Sequence, residues 1–418
     1  MDIGTGDQRA TGQAAGAGPS AQPVVPGAYL ALALAFLGFT VNFWAWALLS
    51  PLAPRFKDAL GLTPLEASVM VAVPVIIGSL GRIPLGALTD RYGGKLMFAL
   101  VSYVAIAPVA FLAFADTYLA LLAGGFVLGI AGASFAVGVP YVNGFFPPAR
   151  RGLALGIFGM GNVGTAVSTF LTPRITDASS RAVAFLLVAA LLALIGTAFL
   201  LVGPEVPGRA PAATPFLARF AAALRNGVAQ DLSLIYAITF GGFVAFGAYL
   251  PLYLKTVYGL STTGAASRAA GFVLLATVAR PVGGWLADRF TAVPVLIAAL
   301  AVVALAAIAA SFEPSLGVAA VFFLTMAAAL GVGNGAVFAL VGVAVPPPQV
   351  GSVTGVVGAA GGLGGFLPPI VMGAVYGGTG SYAIGLMLLS DVALAGLVYV
   401  ALKIRPYVRA RAVPERAR

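Results

Sequence analysis

The stretch Arg82-Ile-Pro-Leu-Gly-Ala-Leu-Thr-Asp-Arg-Tyr92 returns 198 residues later as Arg280-Pro-Val-Gly-Gly-Trp-Leu-Ala-Asp-Arg-Phe290. Each copy has an arginine eight residues before an Asp-Arg pair and an aromatic residue. A second match lies at an offset of 199 residues, where a Pro-Pro pair precedes three spaced glycines: Pro147-Pro148 with Gly152, Gly156 and Gly159, and Pro346-Pro347 with Gly351, Gly355 and Gly358. Two separate motifs at nearly one offset indicate that the chain consists of two similar halves.

The composition places both halves in a membrane. Of 418 residues 60% are hydrophobic and 9% are charged, whereas a soluble domain carries about 25% charged residues. The apolar residues fall in twelve long stretches, six in each half, and a spanning helix needs about 20 residues. Backbone in lipid must bond within its own segment, and these stretches are too long and too continuously apolar for barrel strands. The sequence predicts an all-α membrane protein with 12 transmembrane helices in two six-helix bundles.

The charges predict the orientation of these spans. Of the 23 Lys and Arg residues, about fifteen fall on the side of the chain termini and six on the other side, which predicts that both termini are cytoplasmic. This bias also explains the net charge of +10 without a nucleic-acid partner. The predicted segments are a disordered tail (1–26), an N-terminal bundle (27–202), a cytoplasmic loop (203–230), a C-terminal bundle (231–404) and a basic tail (405–418).

The residue types that are missing exclude most enzyme classes. The chain has no His and no Cys, so it lacks the usual zinc ligands, a thiolate nucleophile and a Ser-His-Asp triad. The predicted spans contain no pair of nucleophile and base. We therefore expect no catalytic residue, no metal and no cofactor.

Arg82 in span 2 and Arg280 in span 8 lie at membrane depth. A charge there is costly unless it faces a cavity and meets a counter-charge, and neither arginine has an acid within two turns of its own helix. A guanidinium fork suits a flat oxyanion, so we predict that the partner is a small planar anion. The alternatives are an ion pair with Asp391 of span 12 or an arginine that reaches the membrane surface, but one carboxylate cannot neutralise two arginines.

Spans 5 and 11 are rich in glycine. Their glycines recur at spacings of three and four residues and predict smooth helix faces that can slide or rock: Gly156, Gly159, Gly161 and Gly164 in span 5, and Gly358, Gly361, Gly362 and Gly365 in span 11. Tight helix packing alone would also explain this spacing.

Together with the two arginines, these stretches resemble the nitrate signature segments of the nitrate/nitrite porter family of the major facilitator superfamily, over about residues 30 to 404. The resemblance implies that Arg82 and Arg280 clamp the anion from both halves. It further implies aromatic neighbours from spans 7 and 4, for which the candidates are Tyr236, Phe240 and Tyr141, although the family often has phenylalanine at the span 4 point. Asn162 and Asn143 are the predicted polar neighbours.

The Asp-Arg pairs of the repeated stretch are candidate gate residues. In the major facilitator superfamily the acid and base of this loop latch the cytoplasmic gate, which implies that role for Asp90 and Arg91, with Asp288 and Arg289 as a degraded copy. The alternative is a solvated turn with ordinary topology charges.

We therefore expect a plasma-membrane transporter for nitrate, with nitrite as second substrate, that works by alternating access and functions as a monomer. The mode stays open between proton symport and nitrate/nitrite exchange. Asp391 is interpreted as the one buried acid of a span, and a structural hydrogen-bond partner is favoured over a proton carrier. The alternatives are a transporter for another small anion such as formate or oxalate, or a transporter-like sensor, for which the soluble segments are too short.

Overall fold

The computed structural model describes residues 25–207, 216–345 and 350–406. Most of both predicted tails and the Pro346-Pro347 pair lie outside the described residues. The described part of the chain is helical and contains no strand, and 12 of its helices are long and apolar enough to cross a membrane. This confirms the predicted all-α fold with twelve spans.

Spans 1 to 6 form the N-terminal half. Four of them consist of more than one helical piece. In chain order the α-helices are Ala28–Trp46 and Ala53–Leu60 (span 1), Pro64–Leu80 and Arg82–Tyr92 (span 2), Gly94–Ala113 (span 3), Tyr118–Gly132 and Phe135–Asn143 (span 4), Pro148–Gly159 and Val163–Ala178 (span 5), and Arg181–Val202 (span 6). The 3-10 turns Ser50–Leu52 and Met160–Asn162 join the pieces of spans 1 and 5.

Spans 7 to 12 form the C-terminal half, in which the first four spans are continuous. The α-helices are Gly227–Tyr258 (span 7), Thr262–Phe290 (span 8), Ala292–Ser311 (span 9), Leu316–Ala344 (span 10), Val350–Gly364 and Leu367–Thr379 (span 11), and Ala383–Tyr399 (span 12). A π-helical turn, Val400–Ile404, extends span 12.

Three interruptions of the N-terminal half fall beside Arg82, Phe135 and Asn162, the first and last of which are predicted site residues. Arg82 is the first residue after the break in span 2, Phe135 the first after the break in span 4, and Asn162 the last residue of the 3-10 turn in span 5. Irregular backbone at membrane depth is tolerated where it is buried in protein or lines a cavity. The breaks therefore point to the interior of the bundle as the place of the site.

The segment between the halves contains a helix that the sequence analysis treated as loop. Phe216–Leu224, which we call the linker helix, packs against the first piece of span 11 and against Arg82–Tyr92. Span 7 begins at Gly227 because the Asn226 side chain accepts hydrogen bonds from the Val228 and Ala229 N–H groups, at 2.9 and 3.3 Å. We call the end of the bundle that carries this helix the linker end.

Glycines bring the two halves into close contact between spans 2 and 11. A Cβ on Gly362 would lie 2.2 Å from Ser79 Oγ, and a Cβ on Gly373 would lie 2.0 Å from Ser68 Oγ. Small residues allow such approach of membrane helices. The interface between the halves therefore passes directly beside Arg82.

Candidate functional site

The two intramembrane arginines converge on one aromatic ring. Arg82 Cζ lies 6.0 Å and Arg280 Cζ 4.8 Å from the centroid of the Phe240 ring. Within the described residues neither arginine makes an ion pair with a carboxylate. The structure thus brings together one arginine from each half and the predicted phenylalanine of span 7, and no described carboxylate neutralises the two positive charges.

Tyr236 extends this aromatic surface. Its ring stacks on Phe240 with centroids 5.0 Å apart and an interplanar angle of 2°, and Phe338 meets it edge-on at 4.9 Å. Tyr236 is close enough to interact electrostatically with both guanidinium groups. A Cβ on Gly361 would lie 2.2 Å from the Tyr236 ring. Glycine at this position of span 11 therefore makes room for the ring.

Backbone carbonyls hold Arg82 in place. Its side chain is buried, Nε donates to the Gly78 carbonyl at 3.0 Å, and Nη1 donates to the Gly358 carbonyl of span 11. The second bond crosses from one half to the other. A Cβ on Gly358 or Gly362 would come within 3.6 Å of the guanidinium. Three of the predicted span 11 glycines, at 358, 361 and 362, thus border the site.

Arg280 is held differently. Its guanidinium lies over Phe240 and also 5.3 Å from the centroid of Phe243. Its Nε and Nη2 atoms are buried and have no hydrogen-bond partner among the described residues. Leaving a charged donor buried without a partner is costly, so such groups call for an explanation. A bound anion would satisfy both nitrogens.

Tyr141 does not reach the arginines. Its hydroxyl donates to the Pro204 carbonyl at 2.9 Å, and its ring packs against Phe98 and Phe145 inside the N-terminal half. The aromatic residue of span 4 that contacts Arg82 is Phe135, whose centroid lies 5.5 Å from Cζ. Phe135 is not among the site residues predicted from the sequence. The one signal for it was the residue type, since the resemblance favoured phenylalanine in span 4.

The two predicted asparagines lie on different sides of the site. Asn162 is buried at 1% exposure, and its Nδ2 donates to the Gly159 carbonyl at 3.0 Å. The turn that carries it packs against spans 1 and 8. Asn143 lines a cavity toward the linker end. Each has a buried Oδ1 without a hydrogen-bond partner among the described residues, so both can receive a donor.

Two cavities flank the arginine pair. One of about 130 Å³ extends from Arg82 and Phe135 to the linker helix, where Arg219 and Phe220 line it. The other, of about 30 Å³, is mostly apolar and lies between the halves beside Phe243 and Thr165. The larger cavity thus lies between Arg82 and the linker helix.

The two copies of the Asp-Arg motif have different surroundings. Asp90 forms an ion pair with Arg219 of the linker helix, whereas Arg91 is exposed and lies 5.2 Å from the Tyr92 ring centroid. Asp288 is exposed and makes no ion pair with a described residue, and Arg289 lies against the rings of Trp285 and Phe290. Within the part of the chain that the structure describes, only the first copy forms an ion pair with the segment between the halves.

The span 5 glycines divide into two pairs. A Cβ on Gly161 would lie 2.4 Å from the Phe39 ring, and one on Gly164 would lie 2.0 Å from the Thr40 carbonyl oxygen. Both therefore pack against span 1. Gly156 and Gly159 have nothing within 4 Å of a Cβ. In span 11, a Cβ on Gly365 would lie 2.6 Å from the Val244 side chain.

Asp391 was expected to be buried, and this expectation is wrong. It lies on an exposed face of span 12 and makes no ion pair with any described residue. The buried face of this span is formed instead by Ser390, Ala393 and Gly396. Asp391 therefore is not the counter-charge of the arginines. Among the described residues no group of three acidic side chains could hold a metal ion.

Comparison with known proteins identifies relatives over nearly the whole chain. The family model described as Major Facilitator Superfamily matches residues 35–369 and 232–418. The "Probable nitrate/nitrite transporter NarK2" of Mycobacterium tuberculosis is 48% identical over 370 residues, which is 87% of this chain and 94% of the relative. The "Nitrite extrusion protein" of Bacillus subtilis is 41% identical, covering 89% of this chain and 93% of the relative.

Solved structures share the fold at low identity. A bacterial homologue of the human lysosomal transporter Spinster, in an inward-facing and occupied conformation, has a TM-score of 0.68 and 19% identity, covering 95% of this chain and 99% of that one. The human organic anion transporter MFSD10 (TETRAN) has a TM-score of 0.68 and 18% identity, covering 91% and 100%.

Proposed function

The chain belongs to the major facilitator superfamily, and within it to the nitrate/nitrite porter family, so it is a multi-pass protein of the cell membrane and not an enzyme; from this premise we propose that it transports nitrate, with nitrite as second substrate, by alternating access. The names of its relatives support the substrate. The arginine pair supports the mechanism.

The main observation behind this proposal is that two guanidinium groups meet at Phe240 from opposite halves, and neither pairs with a carboxylate of a described residue. A planar anion can lie against an aromatic ring and accept hydrogen bonds in its plane from guanidinium forks. One monovalent anion would offset part of the repulsion between the two positive charges, which at membrane depth is strong. Because both arginines belong to one chain, a single copy suffices for binding.

The surroundings support a route through the site. At the linker end, Asp90 and Arg219 line the larger cavity and pair with each other. At the opposite end, contacts between the halves close the approach: Lys255 pairs with Asp58, and Thr263 donates to Asp177. We propose that the linker end faces the cytoplasm, because most basic residues of the sequence lie on that side. Parting of either set of contacts would open one side at a time.

Exchange is the favoured mode. Within the described residues no carboxylate pairs with the arginines, and Asp391 faces away from them on the surface of span 12. Asp90, which lines the same cavity as Arg82, is already paired with Arg219, so the anion itself is the simplest link between the inward and outward movements. Without a bound anion, two facing positive charges resist closure, so the transporter would return only when loaded.

The test uses the purified protein in liposomes and labelled nitrate. With nitrite inside, we expect saturable nitrate uptake. With only an inward proton gradient, we expect little uptake. Uptake under the gradient alone would establish symport instead of exchange. Absence of uptake in both conditions would overturn the nitrate assignment, and stronger inhibition by formate or oxalate than by nitrite would favour another small anion as substrate.

A further inference from the structure

Asn334, in the middle of span 10, has unmet hydrogen-bonding groups. Its side chain is 1% exposed, and neither Nδ2 nor Oδ1 has a hydrogen-bond partner among the described residues. Buried amides in folded proteins are nearly always bonded because an unmet donor or acceptor destabilises the fold. A buried amide whose donor and acceptor both lack hydrogen-bond partners therefore suggests that the protein binds a ligand there during its transport cycle.

The packing of span 10 shows where this side chain lies. Spans 10 and 7 run antiparallel, since Leu330 lies against Gly242 and Phe338 against Tyr236. Asn334 is one turn from each of the two span 10 residues and shares their helix face. On span 7, Thr239 lies at the same height as Asn334, because its Cγ2 would lie 3.0 Å from a Cβ on the neighbouring Gly333.

The adjoining face of span 10 lies against Arg280. A Cβ on Gly331 would lie 2.2 Å from the Ala276 carbonyl oxygen, and one on Gly335 would lie 2.1 Å from the Arg280 carbonyl oxygen. Asn334 is located between this face and the face toward span 7, so it lies at the junction of spans 7, 8 and 10. The Arg280 guanidinium lies over two rings of span 7 at the same junction.

The internal repeat leads to the same location. At the offset of 199 residues that relates the Pro-Pro motifs, the counterpart of Asn334 is Phe135. Phe135 lies 5.5 Å from the guanidinium carbon of Arg82. The two arginines are related by 198 residues and Phe135 and Asn334 by 199, so the repeat places Asn334 near Arg280 in the same way as it places Phe135 near Arg82, with an amide in place of a ring.

Three residues with unmet polar atoms thus gather on one side of the site: Arg280 with Nε and Nη2, Asn334 with both amide atoms, and Thr239 with Oγ1. We infer that Asn334, supported by Thr239, is a specificity-determining residue that binds the third oxygen of nitrate. This rests on the proposed function. The arginines engage two oxygens of the anion, and the Asn334 amide donates to the third. Nitrite has only two oxygens and leaves this amide unused.

The test compares the two anions in the full-length protein. Asn334→Leu replaces the amide with an apolar side chain of similar volume. We expect the apparent KM for nitrate to rise about tenfold, the effect of losing one hydrogen bond to a charged group, while the inhibition constant of nitrite changes less than twofold. A structural role for Asn334 would change both anions alike. Equal changes, or no change, would overturn the inference.

A second variant guards against misfolding. Thr239→Val removes the neighbouring hydroxyl with little change of shape, and we expect it to shift the nitrate-to-nitrite ratio in the same direction by a smaller factor. Ser390→Ala is the matched control, because Ser390 of span 12 is also 1% exposed and its Oγ also lacks a partner among the described residues. The control should leave the ratio unchanged. A ratio that shifts equally in Ser390→Ala would overturn the inference.

The wild-type protein separates this inference from the proposed function. If it transports neither anion, the proposed function fails and the inference fails with it. If it transports both anions and Asn334→Leu keeps the wild-type ratio, the inference alone fails.

Discussion

Arg82 and Arg280 occupy equivalent positions in the two halves, yet their surroundings differ. Arg82 begins a helix after a break, and carbonyls of Gly78 and Gly358 engage two of its nitrogens. Arg280 lies within a continuous helix, and two of its nitrogens lack partners among the described residues. The difference indicates that the two arginines have different roles. Arg82 links the halves and faces the site, whereas Arg280 offers N–H donors to a ligand.

The largest expected effect comes from the arginines themselves. Lysine keeps the charge but lacks the planar fork, so Arg280→Lys should lower nitrate transport at least about 100-fold, the loss of two charge-assisted hydrogen bonds. Arg82→Lys should lose transport to a similar degree. Initial uptake rates in liposomes give the comparison.

Thermal stability separates the two arginines. Arg82→Lys removes a hydrogen bond between the halves, so its melting temperature should fall. Arg280→Lys breaks no hydrogen bond between the halves, because Arg280 interacts with Tyr236 of its own half, and its melting temperature should fall less. Equal melting temperatures for the two variants would contradict the claim that Arg82, and not Arg280, links the halves.

The next effect concerns the glycines of spans 11 and 5. Gly361→Ala places a methyl group 2.2 Å from the Tyr236 ring, which must move and take the stacked Phe240 ring with it. We expect about a tenfold loss of nitrate uptake or more, since overpacking at this scale costs about 1–3 kcal/mol. Gly156→Ala meets nothing within 4 Å and is the matched control. A comparable loss in the control would show that alanine on any of these glycines is harmful for another reason.

A smaller effect is expected in span 4. Phe135→Ala removes the ring beside Arg82 and should raise the apparent KM for nitrate by about two- to thirtyfold, the range of a cation–π contact of about 0.5–2 kcal/mol. Tyr141→Phe removes only the hydrogen bond to Pro204 and should leave the KM unchanged. The reverse order of effects would restore Tyr141 as the aromatic residue of the site.

The smallest effect concerns the two Asp-Arg motifs. Asp90→Asn breaks the pair with Arg219, and because partly exposed pairs contribute about 0–1 kcal/mol, we expect a change in uptake rate of at most about fivefold. Asp288→Asn should leave the rate unchanged, since Asp288 has no ion pair among the described residues. Identical uptake rates in the two variants would show that the linker helix takes no part in gating.

Much of the fold and part of the site followed from the sequence alone. The twelve spans are visible because apolar runs of this length have few other interpretations. Arg82 and Arg280 could be located because charges stand out in such runs, whereas Tyr236 and Phe240 came from the resemblance to the nitrate/nitrite porter family. The structure gathers Arg82, Arg280 and Tyr236 around Phe240.

Three features could not be predicted. Span 4 breaks before Phe135, which shifts the register that was assumed for Tyr141. The partner of Asp90 lies 129 residues away in the linker helix, where no repeat or motif marks it. Span 12 is apolar on all sides, so its sequence does not reveal which face is buried, and Asp391 was assigned to the wrong one.

The most direct test of the central claim, that one anion bridges Arg82 and Arg280, is nitrate binding to the purified protein by calorimetry. The wild type should bind one nitrate per chain, and Arg82→Lys, Arg280→Lys and the double variant should all lose binding to the same extent, because either substitution breaks the bridge. Wild-type affinity in either single variant, or losses that simply add in the double variant, would contradict the account.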